Sequence, residues 1–148
     1  MPYIEKKQII KAPVDEVYRV ASNMEEYPVF MRDVQSVKIV QRGQNSTVTD
    51  WVTDIDGTEI MWNEEDHFDA SSHRIDYRLI DGDLDKFEGQ WRFDAVPEGT
   101  EVTLTCDFDF GIPELVHLIG DILEIKVGEN CEMMLDGLKT QLEGQGNN

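Results

Sequence analysis

The chain has 148 residues, a length that fits one domain with a sizeable core, and residues 1–148 are read as a single unit. It carries 31 acidic and 13 basic residues, a formal charge of −18 that repels nucleic-acid phosphates and anionic lipid headgroups, so no nucleic-acid partner is expected. No apolar run approaches the roughly 18 residues of an integral membrane segment, and the opening MPYIEKKQII lacks the apolar stretch of a signal peptide, so the expected location is cytoplasmic.

Residues 3 to 11 mix β-branched and charged side chains and predict a first strand. Pro13, followed by Asp15 and Glu16, suits the first turn of a helix, and Val14, Val17, Tyr18 and Ala21 repeat at helical spacing. MEEYPVFM, residues 24 to 31, predicts a second short helix or turn with Tyr27, Phe30 and Met31 on its buried side. From residue 34 the apolar period drops from 3.6 to 2. Strands are predicted over 34–40, 47–55, 58–68, 74–80, 87–95 and 101–110, separated by turn signals such as Asp56-Gly57, Asp81-Gly82-Asp83 and Pro97-Glu98-Gly99. Six strands joined by short turns imply an antiparallel meander with one apolar face to cover.

The cover comes next. Gly111-Ile112-Pro113 ends the last strand, and residues 114 to 142 read as one long helix with Val116, Ile119, Leu123, Val127, Cys131 and Met134 along its stripe. Leu138 and Leu142 continue the stripe, while Leu115, Leu118 and Ile122 widen it near the start. Residues 143–148 are expected to be a disordered tail. The fold class is therefore α+β, a curved antiparallel sheet wrapped around a long C-terminal helix in the order β-α-α-β6-α.

The strand over 58–68 contains the sharpest functional signal. Alternation puts Glu64 and Asp66 on the same face as Ile60, Trp62 and Phe68, so two carboxylates point toward the core. Buried together they could orient a ligand or act as acid and base, which makes them the catalytic candidates. Three structural readings stand beside this: a β-bulge that flips the register, a strand end that leaves Asp66 wet, or pairing with an inward cation. Trp51, Tyr77, Trp91, Phe93 and Phe108 fall on inward faces and either line a cavity or fill the core. Asn130 sits beside the helix stripe and needs a partner if it is buried. Cys106 and Cys131 fit no metal or redox spacing and read as buried free thiols, the three histidines form no metal motif, and neither a metal nor a cofactor is expected. The Asp-Gly sites at 54–57 and 81–85 are read as hairpin turns rather than calcium loops.

KAPVDEVYRVASNMEEYPVFMRDVQSVKIV, residues 11–40, with GQWRFDAVPEGTEVTLTCDFDF, residues 89–110, resembles the START-like, or Bet v 1-like, helix-grip superfamily. The resemblance is closest to polyketide cyclase/dehydrase-type and coenzyme Q-binding-type members. It implies a deep, mostly apolar cavity between sheet and helix, and a hydrophobic small-molecule ligand that is lipid-, quinone- or polyketide-like. The implied ligand contacts are Trp51, Trp62, Glu64, Asp66, Tyr77 and Trp91 on the strands. Phe93, Phe108, Leu115, Ile119, Leu123 and Asn130 complete them. Aromatase/cyclases of the superfamily carry an inward arginine four residues after a strand tryptophan. Here Trp62 is followed by Asp66 at that position, and the family's nearby tyrosine falls at Val34 or Gln35. Both departures weigh against that mechanism, so binding without catalysis is the first expectation. A polyketide cyclase/dehydratase is the second and an acidic protein–protein adaptor the third, with homodimerisation left open.

Overall fold

The computed structural model describes residues 3–55, 57–109 and 113–145, with the side chains of 113–121 and 145 outside the description. The elements are β1 (Tyr3–Ile10), α1 (Val14–Ser22), a 3-10 turn (Met24–Glu26), α2 (Tyr27–Phe30), β2 (Val34–Arg42), β3 (Ser46–Ile55), β4 (Thr58–Asp69), β5 (Arg74–Gly82), β6 (Lys86–Val96), β7 (Gly99–Asp109) and α3 (Pro113–Gln145). The seven strands form one sheet in the order β1-β7-β6-β5-β4-β3-β2, with every neighbouring pair antiparallel. This is the expected α+β helix-grip order.

Local chemistry explains the elements. Pro13 holds the extended N-cap conformation of α1, Asp15 and Glu16 occupy its positive end, and Arg19 its negative end. Val17, Tyr18 and Ala21 are its buried face. Two register shifts in β2, between Val34 and Ser36 and between Ile39 and Gln41, add residues to one strand only and bend the sheet at its edge. Tyr27, fully buried, donates its hydroxyl to the Ala21 carbonyl and packs against Trp51 and Trp91, tying the short helices to the sheet.

Polar contacts pin α3 along β1. Lys6 pairs with Glu132 at 2.9 Å, Gln8 Nε2 donates to Asp136 at 2.8 Å, and Lys139 Nζ donates to the Ile9 carbonyl at 2.9 Å. The Lys11 amide donates to Glu143 at 3.0 Å, and Glu143 also receives Lys139 Nζ at 2.7 Å. Those last two bonds correct the expected tail: α3 runs on to Gln145 because Glu143 is anchored, and only residues 146–148 of the proposed tail lie outside the described residues.

Two further expectations change. Ile122 is 54% exposed rather than part of the stripe. It lies five residues before Val127, which at 100° per residue is about 140° away round the helix from the buried line. Thr103 and Thr105, which strand alternation with Val102, Leu104 and Cys106 puts on the outer, wet face, are buried. Thr103 stands between its register partners Lys7 and Arg92, two long side chains that share its face of the sheet.

Candidate functional site

The register of β4 is the one the alternation requires. Trp62, Glu64 and Asp66 are buried, whereas Met61 and His67 are exposed. A bulge does occur here, but on the partner strand: Asn63 pairs with Asp81 and Glu64 with Leu79, so the extra residue is Ile80 of β5. Ile80 is accordingly pushed out to 53% exposure while β4 keeps its phase.

Glu64 and Asp66 contact each other through their carboxyl groups. Thr49 Oγ1 donates to Asp66 Oδ2 at 2.6 Å and Thr47 Oγ1 to the same oxygen at 3.1 Å. Trp51 Nε1 donates to Thr49 Oγ1 at 2.8 Å, completing the support behind Asp66. Trp62 Nε1 donates to Glu64 Oε1 at 2.8 Å. No lysine or arginine is hydrogen-bonded or ion-paired to either acid among the described residues. Burial, and then the Asp66 charge, push the Glu64 carboxyl well above the usual range. Burial also raises Asp66, but Glu64 and the two threonine hydroxyls favour its charged form. Glu64 is therefore the member that holds a proton. Asp66 Oδ1 is buried and has no hydrogen-bond partner.

The aromatic side chains stand in front of this pair. Trp51 and Trp62, register partners on β3 and β4, stack with centroids 5.5 Å apart at 8°. Phe87 meets Trp62 at 5.0 Å and Tyr77 at 5.4 Å. Tyr77 lies across Gly89, its register partner, and its hydroxyl donates to the Thr105 carbonyl at 2.6 Å. A Cβ at position 89 would stand 2.7 Å from that hydroxyl, so the glycine makes the reach possible.

Opposite the sheet, α3 contributes Asn130, Cys131 and Met134. Asn130 Oδ1 is buried with no partner. Burial pushes the Cys131 thiol up to about 12 and the Cys106 thiol higher still, so neither is a nucleophile at neutral pH. Between the layers lies a void of about 20 Å³, room for about one water. The deep cavity implied by the resemblance is thus nearly closed by the described side chains.

Of the candidate site residues, Trp51, Trp62, Glu64, Tyr77, Trp91 and Asn130 bound this void. Asp66 does not reach it, because it lies behind Glu64 with no exposure. Phe93 and Phe108 are core instead: Phe93 stacks on Trp91 at 6.2 Å and meets Tyr18 edge-on. Leu123 is half-buried away from the void, and Leu115 and Ile119 fall outside the described side chains. Val34 is buried and Gln35 exposed, so neither supplies a phenol-like group. Sequence reasoning missed Thr47 and Thr49, which read only as strand residues, and Asp33. Asp33 is 3% exposed with both carboxylate oxygens unpartnered.

Among the described residues no helix is long and apolar enough to cross a membrane. Residues 10–135 match the family described as polyketide cyclase/dehydrase and lipid transport. The bifunctional cyclase/dehydratase of the actinorhodin polyketide synthase from Streptomyces coelicolor is 25% identical over 100 residues, 66% of this chain. That alignment covers 32% of the Streptomyces protein, so the chain spans about a third of its length. TTHA0849 from Thermus thermophilus superposes with a TM-score of 0.93 at 30% identity, covering 97% of this chain and 99% of that one. The Zhui aromatase/cyclase from Streptomyces sp. R1128 superposes with a TM-score of 0.87 at 22% identity, over 95% and 93% of the two chains. A START superfamily protein from Mycobacterium smegmatis gives 0.84 at 19%, over 97% and 98%.

Proposed function

Because the chain belongs to the polyketide cyclase/dehydrase and lipid transport family, we propose that it binds a hydrophobic ring compound bearing a hydroxyl group between the sheet and α3. The observation that carries this reading is an aromatic-walled void whose polar groups are short of donors. Asn130 Oδ1 has none, and the acid pair holds one proton for two carboxyls. A phenol or enol brings the missing O–H and stacks its ring on tryptophan.

Entry requires the void to widen, and the contacts of α3 favour one direction. The polar bonds described above fasten the helix to the β1 side. Toward β3, β4 and β5 the helix meets side chains across the void, with Met134 the most adaptable of them. Separating these surfaces breaks no hydrogen bond named here.

The test is an NMR titration with 2-naphthol and with naphthalene. Naphthol is expected to bind with shifts at the three tryptophan indoles, and Asn130→Leu to weaken it about tenfold, the loss of about one hydrogen bond to a buried group. Naphthalene binding is expected to survive that substitution. Absence of naphthol binding, or equal losses for both compounds, would refute the reading.

A second reading rests on the neutral acid. Glu64 could pass its proton to a departing hydroxyl, releasing water, while the pair takes up the proton lost from the adjacent carbon. Turnover of a β-hydroxy ketone that disappears in Glu64→Gln, with 2-naphthol binding retained, would establish it. An inactive parent protein would leave binding as the function.

A further inference from the structure

A separate cleft of about 430 Å³ opens between α1 and the β2–β3 hairpin. It shares no lining residue with the interior void. Arg19, from the last turn of α1, and Arg42, from the end of β2, both border it. The chain has 31 acidic residues in 148, yet no Asp or Glu lines this cleft among the described residues. Neither arginine has an ion-pair partner among the described residues, and nor do Arg32 and Arg74, whereas Arg78 pairs with Glu65 and Arg92 with Glu5. In a protein of charge −18, two guanidiniums stand on a cleft with no carboxylate in its lining; the nearest ones lie behind it, Glu25 Oε2 accepting from the Ile39 amide and Asp66 Oδ2 from Thr47 and Thr49.

The rest of the lining narrows the chemistry. Asn23, Gln44 and Asn45 add amide groups at the rim. The hairpin that carries two of them is held by the Gly43 amide donating to the Ser46 carbonyl at 2.8 Å and the Phe68 amide donating to the Asn45 carbonyl at 2.9 Å. Met24, Ile39 and Phe68 give the cleft an apolar floor.

We propose that this cleft binds a phosphate monoester of an apolar group. The dianion matches two guanidiniums, whose forked N–H groups suit phosphate oxygens. The remaining oxygens accept from the side-chain amides, and the ester substituent covers the apolar floor. A lipid headgroup and a small soluble ester share this chemistry. The small ester is the occupant favoured here, because the acidic surface repels an anionic bilayer.

Phenyl phosphate, inorganic phosphate and phenol are to be titrated into the full chain at low ionic strength and followed by amide NMR. Phenyl phosphate is expected to saturate, with shifts centred on residues 19–24 and 42–47. Arg19→Gln or Arg42→Gln is expected to weaken it about tenfold; both residues are exposed, so the fold is untouched. Inorganic phosphate is expected to bind several-fold more weakly, and phenol not at all in this cleft. Vesicles of phosphatidic acid in phosphatidylcholine are expected not to co-sediment the protein. The proposal is overturned by absence of saturable shifts in the cleft, or by unchanged affinity in both variants. Inorganic phosphate binding as tightly as the ester would reduce the cleft to an ion site, and vesicle binding would assign it to a membrane surface. Either result also rejects the small ester.

Discussion

Gly137→Ala is expected to destabilise the fold by about 2 kcal/mol, although alanine is the better helix former by about 1 kcal/mol. A Cβ on Gly137 would stand 2.3 Å from the Phe30 carbonyl oxygen and 3.1 Å from Met31 Cγ. The near obstacle is backbone at the end of α2, which cannot rotate away, so α3 or α2 must shift. The shift would disturb Met31, itself 1% exposed, and Tyr27 beside it, which carries Trp51 and Trp91. Gly128→Ala supplies the contrast. Its Cβ would meet the flexible end of Lys6, at 3.3 Å from Cε, and Ile4 Cδ1 in ordinary contact at 3.7 Å, so helix propensity decides and stability is expected to rise by a few tenths of a kcal/mol to about 1. Urea denaturation of the two variants measures both signs. Stabilisation by Gly137→Ala would show that the two helices do not approach as described.

The second large effect is on pH dependence. Burial raises Asp33 from 3.8 to about 6, and raises Glu64 and Asp66 as well. A carboxyl whose pKa is higher in the folded state binds more protons when folded than when unfolded. Its contribution is therefore most favourable when it is protonated, and stability falls as pH rises from the unfolded value through the folded one. For Asp33 that window runs from about 4 to about 6. A rise of about two units corresponds to about 3 kcal/mol, and the side chain is buried enough for little solvent screening. Glu65, Asp69 and Glu143 are lowered, by His67, Ser71 and Lys139 first in each case, but they lie at the surface, where solvent screens such gains.

Stability is thus expected to decline between pH 4 and pH 7, in the sense set by the buried acids. Asp33→Asn keeps the shape and removes the titration. At pH 7 it is expected to stabilise the protein by about 2 kcal/mol, somewhat less than the full linkage because the buried amide must also find partners. At pH 4 the variant and the parent should differ little. Thermal unfolding at a series of pH values checks both points, and a variant that keeps the parent's slope between pH 4 and pH 6 would exclude Asp33 as its source.

Periodicity alone determined the order of elements, the inward faces of β3, β4, β6 and β7, and the inward direction of Glu64. These follow from the 2-residue and 3.6-residue repeats, which are properties of the backbone nearest each residue. The tertiary structure decided what sequence-distant residues do when they meet. Asp66 is backed by Thr47 and Thr49, 19 and 17 residues away, whose hydroxyls favour its charged form against the effect of burial, and it lies behind Glu64 instead of bordering the void. The void shrinks to about 20 Å³ because α3 and the aromatic strands close on each other, a distance no repeat encodes. Asp33 is buried by packing around a turn, where no periodic signal exists. Gly137, which reads as a weak point in a helix, proves to be the place where two helices touch, because contact between elements depends on the whole path of the chain between them.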